Sequence, residues 1–340
     1  DVENILRLRE VLSTLPPFCR DYFRAIDTTT TTKTRISYAY DIRIFFQFLL
    51  DENPAFKDYK MTDFTVDVLD QIKALDLEEY QEYLKVYQAG DKTETNGERG
   101  LKRKISALRS FYAYYYRREM IETNPTVLID VPKIHDKSII RLDTDEVALL
   151  LDYIEHCGDQ LTGQKRVYYE KNKERDLAIV TLLLGTGIRV SECVGLDIED
   201  VDFKNNGIKV TRKGGNEMVV YFGPEVEKAL KRYLEVRENI IPLEGHEHAL
   251  FYSAQRRRIG VQAIENLVKK YSQQITTTKK ITPHKLRSTY GTALYQETGD
   301  IYLVADVLGH KDVNTTKKHY AAIDDARRRQ AAKAVKLRED

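Results

Sequence analysis

Six residues beyond the midpoint of the chain have the types that a metal-free phosphoryl transfer requires: Arg189, Lys213, His284, Arg287, His310 and Tyr320. Displacement at a phosphodiester builds negative charge on the equatorial oxygens, and a planar guanidinium fork meets those oxygens two at a time. A phenol with a pKa near about 10 attacks poorly until a neighbouring base or cations favour the phenolate. The departing sugar oxygen needs a proton, which a lysine can give. The set holds anion clamps, a nucleophile and an acid, and it calls for neither a cofactor nor a metal.

Each member also has an ordinary reading. "LLLGTGIRVSECVGL" breaks an apolar helix at Gly185-Thr186-Gly187 and restarts with Arg189, so that free N–H groups favour an anion there. Glu192, one turn on, can buttress the guanidinium, and a purely structural Arg–Glu pair is the alternative. A dinucleotide fingerprint fails, because the third glycine is missing and no strand precedes. In "TPHKLRSTYGTAL", Thr282 caps a helix, Pro283 suits its first position, and His284 and Arg287 share a face. Lys213 sits beside Gly214-Gly215; a hairpin lysine is ordinarily a solubility residue, but this hairpin can swing a cation inward. "DIYLVADVLGH" reads as a short apolar helix capped by Asp300 and stopped by Gly309, with His310 at its exit. Asn314 then caps a helix carrying His319 and Tyr320. Among 22 tyrosines, one at that place is by itself also consistent with packing.

The elements that must position these residues follow from periodicity. Tyr38, Ile42, Phe45, Phe46 and Leu49 recur at helical spacing with Arg35, Arg43 and Gln47 off the stripe, and Ile105, Leu108, Phe111, Tyr112 and Tyr115 repeat the theme. Such aromatic stripes read as core before they read as a duplex-binding face. The threonines at 28–32 lead into the first of these helices, and "QAGDKTETNGERG" reads as a loop between them. Asn124-Pro125 ends the second helix. "VLIDVPKIHDKSIIRL" is extended, and Thr144 or Asp145 caps the next helix. One region reads as strands, "GIKVTRKGGNEMVVYF", with Gly214-Gly215 as its hairpin turn. The expected fold is mainly α: a helical N-terminal domain over 1–130, a linker over 131–142, an α+β domain with a small antiparallel sheet over 143–325, and a tail over 326–340.

The motifs "GTGIRVSE", "TRKGG", "HKLR", "LGH" and the late tyrosine, in this order, resemble those of the tyrosine recombinases, the integrase class of Xer-type and phage lambda-like enzymes. The resemblance covers about 143–325 closely and the N-terminal part more loosely, as a core-binding domain. It implies that Arg189 and Arg287 clamp the phosphate, that Lys213 is the general acid, and that His284 serves acid–base work and positioning. It further implies that His310 holds the phosphate and that Tyr320 forms a 3'-phosphotyrosyl link to DNA. Glu192 matches the acidic residue supporting the first arginine. The family spacing of nine positions after the "LGH" histidine falls on His319, and Tyr320 lies one further, about 100° around a helix. A looser turn between Lys311 and Thr316 would absorb the difference and leave His319 in a neighbouring role. The implied activity is site-specific recombination of double-stranded DNA through a Holliday junction, by a tetramer on synapsed DNA and a dimer on one site. In such a tetramer the tail "DDARRRQAAKAVKL" packs into a neighbouring protomer; packing on its own domain, or on DNA, are its other readings. A type IB topoisomerase, with a similar residue set, is the alternative activity, and a binding module without catalysis is a third.

Composition sets outer bounds. With 42% hydrophobic and 31% charged residues over 340 positions, the chain can bury a core in each of two domains. The net charge of +1 hides local basic clusters at 102–104, 256–258, 279–280, 317–318 and 327–329, each readable as phosphate-contacting or as a solvated helix face. No run is apolar enough to span a bilayer, and no signal peptide opens the chain. Three scattered cysteines argue against a disulfide framework, so a reducing, cytoplasmic compartment is expected, and the resemblance implies association with the nucleoid there. Asp1 in place of Met suggests a removed N-terminal segment. His246 and His248 in "GHEHALF" lack the further ligands of a metal site.

Overall fold

Aromatic residues at helical spacing build the core of the first of two units into which the chain divides, Asp1–Asp136 and Lys137–Asp340. The computed structural model describes residues 2–135, 139–212, 214–310, 313 and 316. In the first unit the helices are α1 (Val2–Ser13), α2 (Cys19–Ala25), α3 (Thr32–Glu52), α4 (Val68–Gln71), α5 (Ala74–Tyr83) and α6 (Glu98–Tyr116). The threonine tract starts α3, since the Thr31 hydroxyl accepts the Thr34 N–H at 3.3 Å. Ile42, Phe45, Phe46 and Leu49 of α3 face Ile105, Leu108, Phe111, Tyr112 and Tyr115 of α6, and all are buried. Phe111 meets Tyr22 and Tyr115 edge-on, with centroids 5.2 and 5.0 Å apart. Such pairs add about 0.5–1.5 kcal/mol each beyond their buried area. The stripe is therefore core, and it is not available to a duplex.

Two sequence readings in this unit need correction. The stretch after α5 is not all loop. β1 (Val86–Ala89) pairs antiparallel with β2 (Lys92–Thr95), Val86 opposite Thr95 and Ala89 opposite Lys92, around Gly90 at φ +62°. Seven of these eight strand residues are exposed, so no face required the apolar alternation by which strands are recognised. The basic run at 102–104 is also not one solvated patch. Lys102 and Arg103 are exposed, but Lys104 is buried, with Nζ 3.3 Å from Asp41 Oδ1. Arg103 pairs with the other oxygen of the same buried carboxylate. Burial pushes the Asp41 pKa up, against the pull of both cations.

The second unit holds α7 (Thr144–His156), α8 (Gly163–Thr186), α9 (Val190–Gly195), α10 (Pro224–Arg237), α11 (Val261–Ile275), α12 (Pro283–Thr298) and α13 (Ile301–Leu308). Its three-stranded antiparallel sheet runs β3 (Val201–Asp202), β4 (Gly207–Thr211), β5 (Glu217–Tyr221) in that order. The expected hairpin is there: Thr211 pairs with Glu217, and the Arg212 N–H reaches the Asn216 carbonyl at 2.8 Å around the positive-φ glycines Gly214 and Gly215. The apolar half of α8, including Ile179, Val180, Leu182 and Leu183, is buried all round, and the helix packs on α7, α10 and α12. α12 and α13 close on each other through Tyr295, Val304 and Leu308.

Cys19, Cys157 and Cys193 are buried free thiols, and burial raises the pKa of each. Among the described residues, no helix is long and apolar enough to cross a membrane.

Candidate active site

The site begins where α8 stops. Gly187 takes the left-handed conformation, φ +63°, and its N–H caps the helix on the Leu183 carbonyl at 3.1 Å. A Cβ at this position would lie 2.3 Å from Tyr290 Cδ1 and 2.9 Å from Leu308 Cδ2, so glycine alone lets α8 end against α12 and α13. Two residues on, Arg189 is extended (φ −74°, ψ 151°) at the start of α9. Glu192, buried one turn into that helix, accepts the Arg189 N–H on Oε2 and Nη1 on Oε1, both at 2.7 Å. One carboxylate thus fixes both the backbone and the guanidinium of Arg189.

α12 supplies the second arginine. Thr282 stands at its N-terminal cap without a side-chain hydrogen bond, Pro283 fills the first helical position, and His284 follows with its side chain exposed. Arg287, on the next turn, is 5% exposed. Its Nη1 donates to the Gly187 carbonyl at 2.6 Å, and its Nη2 donates to the Leu308 carbonyl.

α13 joins these groups. The Asp300 carboxylate accepts the Tyr302 and Leu303 N–H groups at 2.8 and 3.1 Å, which starts the helix. The helix ends at Gly309, φ +63°, where the Gly309 N–H reaches the Asp306 carbonyl at 2.8 Å and the His310 N–H reaches the Ala305 carbonyl at 2.9 Å. This is a Schellman closure; it serves the Ala305 and Asp306 carbonyls once and leaves those of Val307, Leu308 and Gly309 in need of donors. Guanidinium groups provide them. Arg212 Nη1 and Nη2 donate to the Asp306 and Val307 carbonyls at 3.3 and 2.7 Å. Arg287 serves Leu308, and Arg189 Nη2 serves Gly309 at 3.3 Å. Four successive carbonyls at the negative end of one helix gather three arginines from three other elements. His310, next in the chain, is half-buried, with Nδ1 2.7 Å from the hydroxyl of the buried Thr316.

The fold therefore brings Arg189, Arg287 and His310 to one place. It sets His284 a turn away from Arg287, on the α12 surface. Lys213 and Tyr320, with Asn314 and His319, lie outside the described residues. Arg212 was missed in the sequence, although it stands inside the quoted "TRKGG" immediately before Lys213. Burial lowers its pKa, and the neighbouring Arg189 charge lowers it further against the opposing pull of Glu192. A guanidinium stays charged regardless, so the cluster is a concentrated cation site suited to the non-bridging oxygens of a phosphodiester.

Other basic positions have structural tasks. Arg258 pairs with Asp197 and donates to the Val194 and Leu196 carbonyls, and Lys279 bridges Asp143 and Glu146. His248 Nδ1 meets Glu199 Oε1 at 2.8 Å, and among the described residues no cluster of three or more metal-ligating side chains occurs.

Residues 141–327 match the phage integrase family. The chain belongs to that family and is a tyrosine-type site-specific recombinase. It is 32% identical to tyrosine recombinase XerS of Lactococcus lactis subsp. cremoris over 350 aligned positions, spanning 95% of this chain and 96% of the relative. It is likewise 32% identical to tyrosine recombinase XerC of Caldanaerobacter subterraneus subsp. tengcongensis, spanning 93% and 86% of the two chains. In fold it is similar to the Tn1549 transposon integrase in complex with transposon right end DNA, with a TM-score of 0.65, 21% identity, and coverage of 93% and 99%.

Proposed function

We propose that the protein cleaves and rejoins double-stranded DNA at a recombination site, with Tyr320 as the nucleophile. The phenolic oxygen, its proton passing to His284, attacks the scissile phosphorus and the bond to the 5'-oxygen breaks. Lys213 gives that oxygen its proton, leaving a 3'-phosphotyrosyl link and a free 5'-hydroxyl. Arg189 and Arg287 hold the non-bridging oxygens through the five-coordinate transition state, His310 adds a phosphate contact, and His284 serves in proton transfer and positioning. The covalent link conserves the bond energy, so attack by a 5'-hydroxyl from a second duplex rejoins the strands and passes through a Holliday junction. In this reading residues 1–130 form the core-binding domain, 143–325 the catalytic domain, and 326–340 a tail engaging a neighbouring protomer. The working assembly is a tetramer on two synapsed sites, built from dimers on single sites, and the protein acts at the nucleoid.

The observation that carries the reading is the convergence of Arg189 and Arg287 on adjacent carbonyls at the end of α13, one residue before His310. A suicide substrate, nicked so that the 5'-hydroxyl fragment diffuses away, tests it. The wild type should accumulate a covalent protein–DNA adduct, and Tyr320→Phe should bind the same DNA and form none. Adduct formation by the Phe variant would remove Tyr320 from the role and direct the search to its neighbours.

A further inference from the structure

Arg212 makes contacts for which the reading above has no task. From Thr211 to Glu217 it is, among the described residues, the one that is not exposed, while the apolar anchors of the hairpin, Ile208, Val210 and Val220, lie at its base. The backbone of Arg212 closes the turn, its N–H bonded to the Asn216 carbonyl at 2.8 Å and its carbonyl accepting the Gly215 N–H at 3.0 Å. Its side chain crosses to α13 and holds the Asp306 and Val307 carbonyls. The crossing is close. A Cβ built on Gly309 would fall 1.3 Å from Arg212 Nη1 and 2.2 Å from Cζ, so the guanidinium occupies the space a side chain at 309 would take. Gly309 is thus favoured by its positive φ, and a side chain there would displace the Arg212 guanidinium.

We propose that Arg212 is a positioning residue for the general acid: it fastens the tip of the β4–β5 hairpin to the C-terminal turn of α13. In this proposal the peptide bond from Arg212 to Lys213 passes that constraint on to the proton donor. The inference rests on Lys213 being the proton donor. Two carbonyls held by one planar fork define an orientation as well as a distance, which a single ammonium group does not. Misplacing a catalytic group by about 1 Å costs on the order of 10²-fold in rate.

The test is single-turnover cleavage of the suicide substrate by full-length wild type, Arg212→Ala, Arg212→Lys, Lys213→Ala and the Arg212→Ala/Lys213→Ala double variant. Each is run on DNA with oxygen, and with sulfur, as the 5'-leaving atom. Sulfur departs as a thiolate and needs no proton. Arg212→Ala should cleave the oxygen substrate about 10²-fold more slowly, regain most of that loss with sulfur, and keep its DNA affinity. The double variant should be no slower than Lys213→Ala alone, because both changes remove one function. Arg212→Lys should follow Arg212→Ala, and it decides the matter if the alanine variant does not fold. Wild-type rates for the Arg212 variants would overturn the proposal, as would equal slowing on oxygen and sulfur, which would make Arg212 a phosphate clamp. If Lys213→Ala itself shows no recovery with sulfur, the proton-donor assignment fails; if it recovers and the Arg212 variants do not, only the present proposal fails.

Discussion

In the first unit Lys104 and Arg103 converge on one buried carboxylate, Asp41, whereas in the second Arg189, Arg212 and Arg287 converge on backbone carbonyls at the end of α13. The first arrangement sets a full negative charge against its cations, and its yield is a defined packing of α3 against α6. The second holds guanidinium groups by neutral dipoles, with Glu192 engaging Arg189. Those carbonyl contacts fix direction without cancelling the formal charge. Burial of basic residues thus serves order in one unit and, in the proposed function, anion capture by Arg189 and Arg287 in the other.

Several substitutions press on this contrast. Arg287→Ala removes the proposed buried phosphate donor and should slow suicide-substrate cleavage by about 10³-fold; a loss below about tenfold would put Arg287 on the structural side. Asp41→Ala leaves the Lys104 ammonium buried without its partner and should cost about 3–5 kcal/mol in urea unfolding of the first unit. The folded fraction should still cleave at the wild-type rate. A cleavage defect in that fraction would blur the distinction between the units. Glu192→Gln keeps one of the two hydrogen bonds to Arg189, turns an amide NH2 toward the other donor and loses the charge, and should reduce cleavage by about tenfold, with DNA affinity nearly intact.

The smallest effect is a titration. Burial raises the Asp41 carboxyl, so the folded chain holds that proton more tightly than the unfolded chain. Its contribution to stability is full below about pH 3.9 and is lost as pH rises through the folded value. Asp70 behaves oppositely. Partial desolvation opposes ionisation there, but the Glu122 and Thr123 N–H groups and the Thr123 hydroxyl outweigh it and lower the carboxyl. Its contribution is present above the ordinary Asp pKa and is lost as pH falls through the folded value. Carboxyl NMR should find the Asp41 midpoint above that of Asp70, and the reverse order would discard the account of Asp41.

What could be read in the sequence depended on whether an element advertises itself through side chains. The stripes of α3 and α6 were legible because one buried face imposes a 3.6-residue period. The ends of α8 and α13 were legible because left-handed caps select glycine. Exposed on nearly every residue, the β1–β2 ribbon carried no such pattern. Lys104 read as a phosphate contact or a solvated base, and not as a buried ion-pair partner, because Asp41 lies 63 positions earlier. Arg212 was invisible as a site residue for a different reason: it binds the peptide groups of Asp306 and Val307, and peptide groups have no sequence signature. The pairing of Arg189 with Glu192 lies within a single turn and could be read directly.

The three thiols have a practical consequence. Cys19, Cys157 and Cys193 are at most 4% exposed, and each is held in its protonated, unreactive form. Maleimide reagents should leave the native chain unmodified over the time in which they label an exposed cysteine. A single cysteine placed at the outward-facing Gly90–Asp91 tip would then carry a fluorophore at a known point, with no need to strip the natural sulfhydryls first.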